Sequence, residues 1–194
     1  MTPDLFGAPP LPGLKLGEEL VSPAEEAELI RRIGEVELTP FRFRGFEGRR
    51  LTRSFGWLYD FEAQSFMQAE PIPEWLLPVR DRAATFAEIP AGALVHALLI
   101  RYDPGAGIGW HKDRPVFDQV VGISLGAPAI MSFRRRSAGG FERFKLPLPP
   151  RSGYLLSGPV RHDWEHGIAE HADLRFSITF RSLSDATRRP LEQR

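Results

Sequence analysis

Two helix-like segments followed by a run of short, turn-separated strands predict an α+β chain, with a β-barrel or double-sheet core behind two helices. Three observations carry that expectation. The segment 22–33 has the signals of a capped helix, and from Ala93 onward the apolar pattern changes to strand alternation. Eighteen prolines, eighteen glycines and fourteen phenylalanines suit short strands and many turns better than a helical bundle.

Taken in order, residues 1–13 read as an irregular arm rich in proline. Ser22-Pro23-Ala-Glu-Glu-Ala-Glu-Leu-Ile-Arg-Arg-Ile33 follows. Ser22 suits the N-cap, Pro23 the first helical position, and the glutamates complement the positive end of the helix dipole. Leu29, Ile30 and Ile33 supply its apolar stripe. Residues 39–61 alternate aromatic, basic and glycine positions, which predicts hairpins. Pro73–Ala87 reads as a second helix with Pro78 disturbing its first half. Strands are expected at 94–102, 116–124, 129–133, 141–146, 153–156 and 174–183, with Gly/Pro turns between them. No internal repeat is evident, so 1–194 is expected to form one domain.

With 194 residues the chain is long enough for one sizeable core. Lys+Arg and Asp+Glu balance at 25 each, which argues against a protein that coats nucleic acid but leaves room for a local basic face. There is no cysteine, which excludes disulfides, thiolate–metal sites and cysteine nucleophiles. No apolar run approaches membrane-spanning length, and the N-terminus lacks a basic-then-apolar leader. The expectation is a soluble cytoplasmic protein, without membrane and with no obligate protein partner evident.

The chemistry is concentrated in Arg101-Tyr-Asp-Pro-Gly-Ala-Gly-Ile-Gly-Trp-His111-Lys-Asp113. On an extended segment His111 and Asp113 project to the same side, so both can reach one divalent ion. A second cluster, His162-Asp-Trp-Glu-His166-Gly, offers a third ligand. Gly158-Pro159 before it and Gly167 after it argue against a helix that would present His162 and His166 together. Binding both would also occupy positions that oxygen and a co-substrate need, so His166 is favoured. Two histidines and one carboxylate with open positions form the facial triad of non-haem Fe(II) oxygenases. His96, in an apolar strand, and His171, in a charged loop, read as structural or surface residues.

Downstream, Arg175, Ser177, Thr179 and Arg181 share one face of a strand while Phe176, Ile178 and Phe180 share the other. Arginines suit the carboxylates of a diacid co-substrate. They stand at opposite ends of a span of roughly 20 Å and would bracket such a ligand rather than sit side by side. Arg42, Arg44, Arg49, Arg50 and Arg53 are interleaved with phenylalanines and Trp57, and Arg134-Arg135-Arg136 is a second basic cluster. That composition suits single-stranded or flipped nucleotides, and it equally suits solvated hairpin faces.

Four strings in this order resemble the AlkB family of Fe(II)/2-oxoglutarate dioxygenases: 101–113 above, Ile123-Ser-Leu-Gly-Ala-Pro-Ala-Ile130, Trp164-Glu-His-Gly-Ile168, and Arg175-Phe-Ser-Ile-Thr-Phe-Arg181. Gly56-Trp57-Leu58-Tyr59 is similar to the hairpin with which that family covers its substrate base. The resemblance spans about 93–183, the expected catalytic core, and implies a double-stranded β-helix (jelly-roll) with an N-terminal recognition lid at about 39–61. It implies metal ligation by His111, Asp113 and His166. Co-substrate contacts fall to Tyr102, Arg175, Ser177 and Arg181, and substrate contacts to Trp57, Tyr59, Arg42, Arg44 and Arg114. The implied cofactors are Fe(II), 2-oxoglutarate and O2. The implied reaction is hydroxylation of an N-alkyl group, after which the hemiaminal collapses and releases an aldehyde. The implied partner is alkylated single-stranded or flipped-base nucleic acid. The same chemistry on a protein or small molecule, and a metal-free β-barrel binding module, are the other readings. Two positions depart from the family's pattern: Ile100 and Ser177 stand where it often has asparagine.

Overall fold

The computed structural model describes residues 11–43, 46–60 and 65–192. The chain enters through strand β1 (Leu14–Gly17) and helix α1 (Pro23–Glu35). The capping reading holds in detail: Ser22 Oγ accepts from the Glu25 amide at 3.2 Å, and Glu25 Oε2 accepts from the Ser22 amide at 2.8 Å. Strands β2 (Thr39–Phe43), β3 (Phe46–Asp60) and β4 (Ser65–Gln68) form the expected hairpins. A 3₁₀ turn (Glu74–Leu76) leads into α2 (Leu77–Ala87). Pro78 lies in the first turn of α2, where its missing N–H costs nothing, so it starts that helix rather than disturbing it.

The remaining elements are β5 (Leu94–Tyr102), β6 (Ile108–His111), β7 (Phe117–Gly126), β8 (Ala129–Ser137), β9 (Gly140–Leu148) and β10 (Gly153–Leu156), then α3 (Gly158–His162), β11 (Glu165–Ile168), β12 (Arg175–Leu183) and α4 (Asp185–Glu192). The six expected strands of the core are all present. Sequence pattern missed β1, β6, β11, α3 and α4; His162 ends α3 and His166 lies in β11, so no single helix presents the two, as expected. Strands β6 (Ile-Gly-Trp-His) and β11 (Glu-His-Gly-Ile) are short and lack the apolar run that marks the equally short β10 (Gly-Tyr-Leu-Leu). Gly158 and Pro159 sit at the start of α3, a position that tolerates both.

Two antiparallel sheets result. The larger runs β1-β10-β7-β12-β5-β3-β2, with β4 hydrogen-bonded to β3. The smaller runs β6-β11-β8-β9. This is the jelly-roll core.

Strand β12 is flanked by β5 and β7, and its alternation sorts two environments. Phe176, Ile178 and Phe180 join Leu29 and Ile33 of α1 and Ala83 of α2 in one buried cluster. Each such large apolar side chain contributes about 1.5–3 kcal/mol by leaving water. The odd residues face the other way, toward the smaller sheet. There Val120, Met131, Phe133, Leu146, Tyr154 and Trp164 belong to a second buried cluster. The space left between the sheets, beside this second cluster, is the cavity.

Candidate metal and co-substrate centre

A cavity of about 1240 Å³ opens between the sheets, lined among others by Tyr102, His111, Asp113, His166, Ser177, Thr179 and Arg181. Sheet pairing brings the first two metal candidates together. His166 of β11 is the register partner of His111 of β6, and their ring centroids lie 4.4 Å apart. Gly167 permits this approach, because a Cβ there would stand 2.8 Å from the Ile108 carbonyl oxygen. His166 Nε2 lies 3.6 Å from Asp113 Oδ2.

His111 Nδ1 is 2.9 Å from the Gly109 carbonyl oxygen. Only an N–H can face a carbonyl, so Nδ1 carries the proton and Nε2 keeps its lone pair. Burial pushes the His166 imidazole down to about 4, and it lowers His111 as well. Both rings are therefore neutral at neutral pH, the form that ligates. Burial raises the Asp113 carboxyl, but the neighbouring positive charge, Arg181 foremost, outweighs it and holds the group well below the usual carboxylate range. Among the described residues no three such donors stand ready to ligate as placed, and Asp113 gives Oδ1 to Arg181. The donor set itself fits a divalent iron: two neutral imidazoles and one ionised carboxylate converging on one end of a cavity.

The co-substrate residues divide between the lining and a layer behind it. Tyr102, Ser177 and Arg181 line the cavity. Arg175 is 1% exposed and lies behind Tyr102, with its Cζ 5.1 Å from that ring's centroid. Its Nη2 donates to Ser124 Oγ at 3.2 Å, while Nε and Nη1 have no partner among the described residues. A buried guanidinium with two unanswered donors calls for an anion, and the carboxylate of a diacid fits that need.

Sequence reasoning missed Tyr154, Gly122 and Arg161, and gave Arg50 no place of its own. Tyr154 lines the cavity, and burial pushes its phenol up. Gly122 makes room for it, since a Cβ there would fall 2.1 Å from Tyr154 Cζ. Buried Arg161 donates to the carbonyls of Asp113 (3.3 Å), Arg114 (2.6 Å) and Phe117 (2.8 Å), so it pins the turn that carries Asp113. Arg50, read from the sequence only as part of a basic run, lines the cavity with its guanidinium 4.2 Å from the Phe41 ring centroid. No sequence period marks these positions; Tyr154, Gly122 and Arg161 are each defined by a partner distant in the chain.

Of the other histidines, His162 is half-exposed at the cavity's margin, 3.3 Å from Asp118 Oδ1. His96 is buried beside Arg181, with Nδ1 3.4 Å from Nη1, and His171 lies 2.8 Å from the Asp173 carbonyl oxygen. Of the substrate candidates, Arg114 lines the cavity. Trp57 pairs with Gln68 of β4 and is not on the lining. The hairpin instead reaches the cavity through Phe41, Gly48, Arg49 and Arg50. The side chains of Arg42 and Tyr59, and Arg44 as a whole, lie outside the described residues.

A family model described as the 2OG-Fe(II) oxygenase superfamily matches residues 13–181. The tRNA (carboxymethyluridine(34)-5-O)-methyltransferase ALKBH8 of Mus musculus is 28% identical over 166 residues, covering 81% of this chain but only 24% of that relative. The alpha-ketoglutarate-dependent dioxygenase alkB homolog 4 of Homo sapiens is 26% identical over 212 residues, covering 90% of this chain and 68% of the relative. The alpha-ketoglutarate-dependent dioxygenase AlkB of Escherichia coli is 30% identical over 145 residues, 67% of this chain and 65% of its own. Among solved structures, OsALKBH1 superposes with a TM-score of 0.69 at 18% identity, over 89% of this chain and 97% of that one, a likeness of fold.

Proposed function

This chain belongs to the 2OG-Fe(II) oxygenase superfamily, in its AlkB-like branch, and from that premise we propose that it oxidatively dealkylates N-alkylated bases in nucleic acid. It is a dioxygenase that uses Fe(II), 2-oxoglutarate and O2. The observation that carries the site assignment is the convergence of His111, His166 and Asp113 in one cavity, with the buried guanidinium of Arg175 packed against Tyr102 of its lining.

We assign metal ligation to His111, Asp113 and His166. We assign the co-substrate's distal carboxylate to Arg175, with Tyr102, Ser177 and Arg181 completing its pocket. The bound iron with its co-substrate and O2 supplies the oxidising power for C–H hydroxylation, and 2-oxoglutarate leaves as succinate and CO2. The chain's part is positional. The Gly109 carbonyl fixes the His111 tautomer, Arg181 holds Asp113 ionised, and Arg161 holds the turn behind it. Apolar Leu98, Ile100, Ile108 and Met131 give the cavity water-excluding walls.

Support for a nucleic-acid substrate comes from the cationic residues on the cavity lining, Arg49, Arg50, Lys112 and Arg114, in a chain of zero net charge. The mouse relative's name, which specifies a tRNA base, agrees with it. The test is succinate formation with Fe(II), with and without N-methylated single-stranded DNA and RNA. The reading expects a methylated strand to stimulate turnover and to lose its methyl group as formaldehyde. Turnover that no methylated strand stimulates overturns the substrate assignment and leaves the dioxygenase chemistry in place.

A further inference from the structure

The basic cluster Arg134-Arg135-Arg136 does not enter the cavity. Strand alternation sends its even members to the outer face of the smaller sheet. Phe133 pairs with Phe144 and Met131 with Leu146, and these four belong to the interior cluster or pack against it. The alternate register pairs, Arg136 with Phe141 and Arg134 with Arg143, therefore lie on the outside, and exposed Lys145 follows Arg143 on the same face. Two more strands join this face. Glu165 of β11 is the register partner of Arg134, and Trp110 points opposite to His111 on β6.

The result is a ladder across all four strands. Arg134 Cζ stands 4.5 Å from the Trp110 ring centroid and 4.8 Å from that of Phe141. Arg136 and Arg143 stand 5.3 and 5.7 Å from the same Phe141 ring. Trp110 also lines the cavity, so the ladder begins at the cavity's rim. Both aromatic rings are open to solvent, Trp110 at 39% and Phe141 at 37%. The face carries four cations, Arg134, Arg136, Arg143 and Lys145, against one carboxylate, Glu165, which pairs with Arg134 at 2.6 Å. Among the described residues, Arg136, Arg143 and Lys145 make no ion pair.

We propose that this outer face is a docking platform for single-stranded nucleic acid, leading a strand to the cavity at Trp110. Arg136, Arg143 and Lys145 meet phosphates, and Phe141 and Trp110 offer ring faces to bases. Exposed aromatic rings alternating with guanidinium planes match the stacking-plus-phosphate chemistry of strand binding, which asks for no base sequence. Charge complementarity selects this occupant. A second copy of the chain would bring the same cations against these, whereas a phosphodiester strand neutralises them and releases counterions. The proposal rests on the nucleic-acid reading above and adds to it the surface that holds the strand outside the cavity.

The test is fluorescence anisotropy of the full chain, loaded with Fe(II) under anaerobic conditions, with an unmodified labelled single strand of about 16 nucleotides as DNA and as RNA. R136Q/R143Q is compared with R31Q/R32Q, a pair on α1 that changes the net charge equally on the side of the larger sheet. The expected result is roughly tenfold weaker binding for R136Q/R143Q, with a salt-dependence slope shallower by about 0.7 for each phosphate that is no longer neutralised. The α1 pair should bind like wild type. F141A should weaken binding about fivefold or more while the melting temperature stays put, as expected for an exposed stacking ring. Equal effects of the two arginine pairs, or none, overturn the platform; methylated-strand turnover by the wild type would then leave the substrate reading intact. Competition by a polyglutamate peptide as strong as that by the strand makes this a protein-docking face and overturns the proposal. Absence of both wild-type strand binding and methylated-strand turnover overturns platform and substrate reading together.

Discussion

Arg181 directs two nitrogens at one oxygen of Asp113: Nη2 lies 3.0 Å and Nε 3.2 Å from Oδ1. Both side chains are about nine-tenths buried, so each compensates a charge the other could not carry alone. The contact leaves Oδ2 on the side of His166 and fixes the carboxylate's orientation across the cavity.

Breaking that pair should cost more than an ordinary surface substitution. Arg181→Gln strands a buried carboxylate, with an expected loss of about 3 kcal/mol in a urea melt of the metal-free protein. Adding Asp113→Asn should restore part of it, because the unpaired charge is gone. A double variant no more stable than Arg181→Gln would show that the two residues are not coupled.

Fe(II) affinity should fall by orders of magnitude in His111→Ala and His166→Ala. His162→Ala should bind nearly as wild type, since its ring is paired with Asp118 at the cavity's margin. Equilibrium dialysis with Fe(II) or Co(II) reads this directly, without reference to turnover. A dead His162→Ala with a binding-competent His166→Ala would exchange the two assignments.

Arg175→Lys should raise the 2-oxoglutarate requirement for succinate formation strongly, while Fe(II) affinity changes little. An ammonium cannot reproduce the two unanswered guanidinium donors that await a carboxylate. An unchanged requirement would leave Arg175 as a packing residue against Tyr102.

Acid should unfold the metal-free protein early. Burial lowers His166 to about 4 and holds His96 well below its ordinary 6.5. Between those values the unfolded chain binds protons that the folded chain refuses, so stability drops as pH falls through that window. Asp113, depressed by Arg181, adds a loss in the same direction at lower pH. The urea midpoint should therefore decline steadily from pH 7 to pH 4.5, and His96→Gln should flatten the decline. A midpoint independent of pH in that range would contradict the buried neutral imidazoles.

Local chemistry made much of this protein legible from its residues alone. Ser22, Pro23 and Glu25 announce α1, because a capping box is written within four consecutive positions. The two faces of β12 follow from strict alternation, and His111, at the end of β6, has Asp113 two positions on. What folding decided is where distant residues meet. Arg161 acts on a turn 44–48 residues away, and Tyr154 needs a glycine at 122. Trp57 looked like the reader of the cavity, yet Arg50 and Phe41 of the same hairpin line it, because pairing of Leu51–Gly56 with β5 sets which end of β3 overhangs the mouth. Arg134 and Arg136 likewise could be called basic from sequence, but only register against β9 and β11 stacked them on Trp110 and Phe141. Alternation along a strand is local and can be read from the chain, whereas register between strands depends on which residues can be buried together.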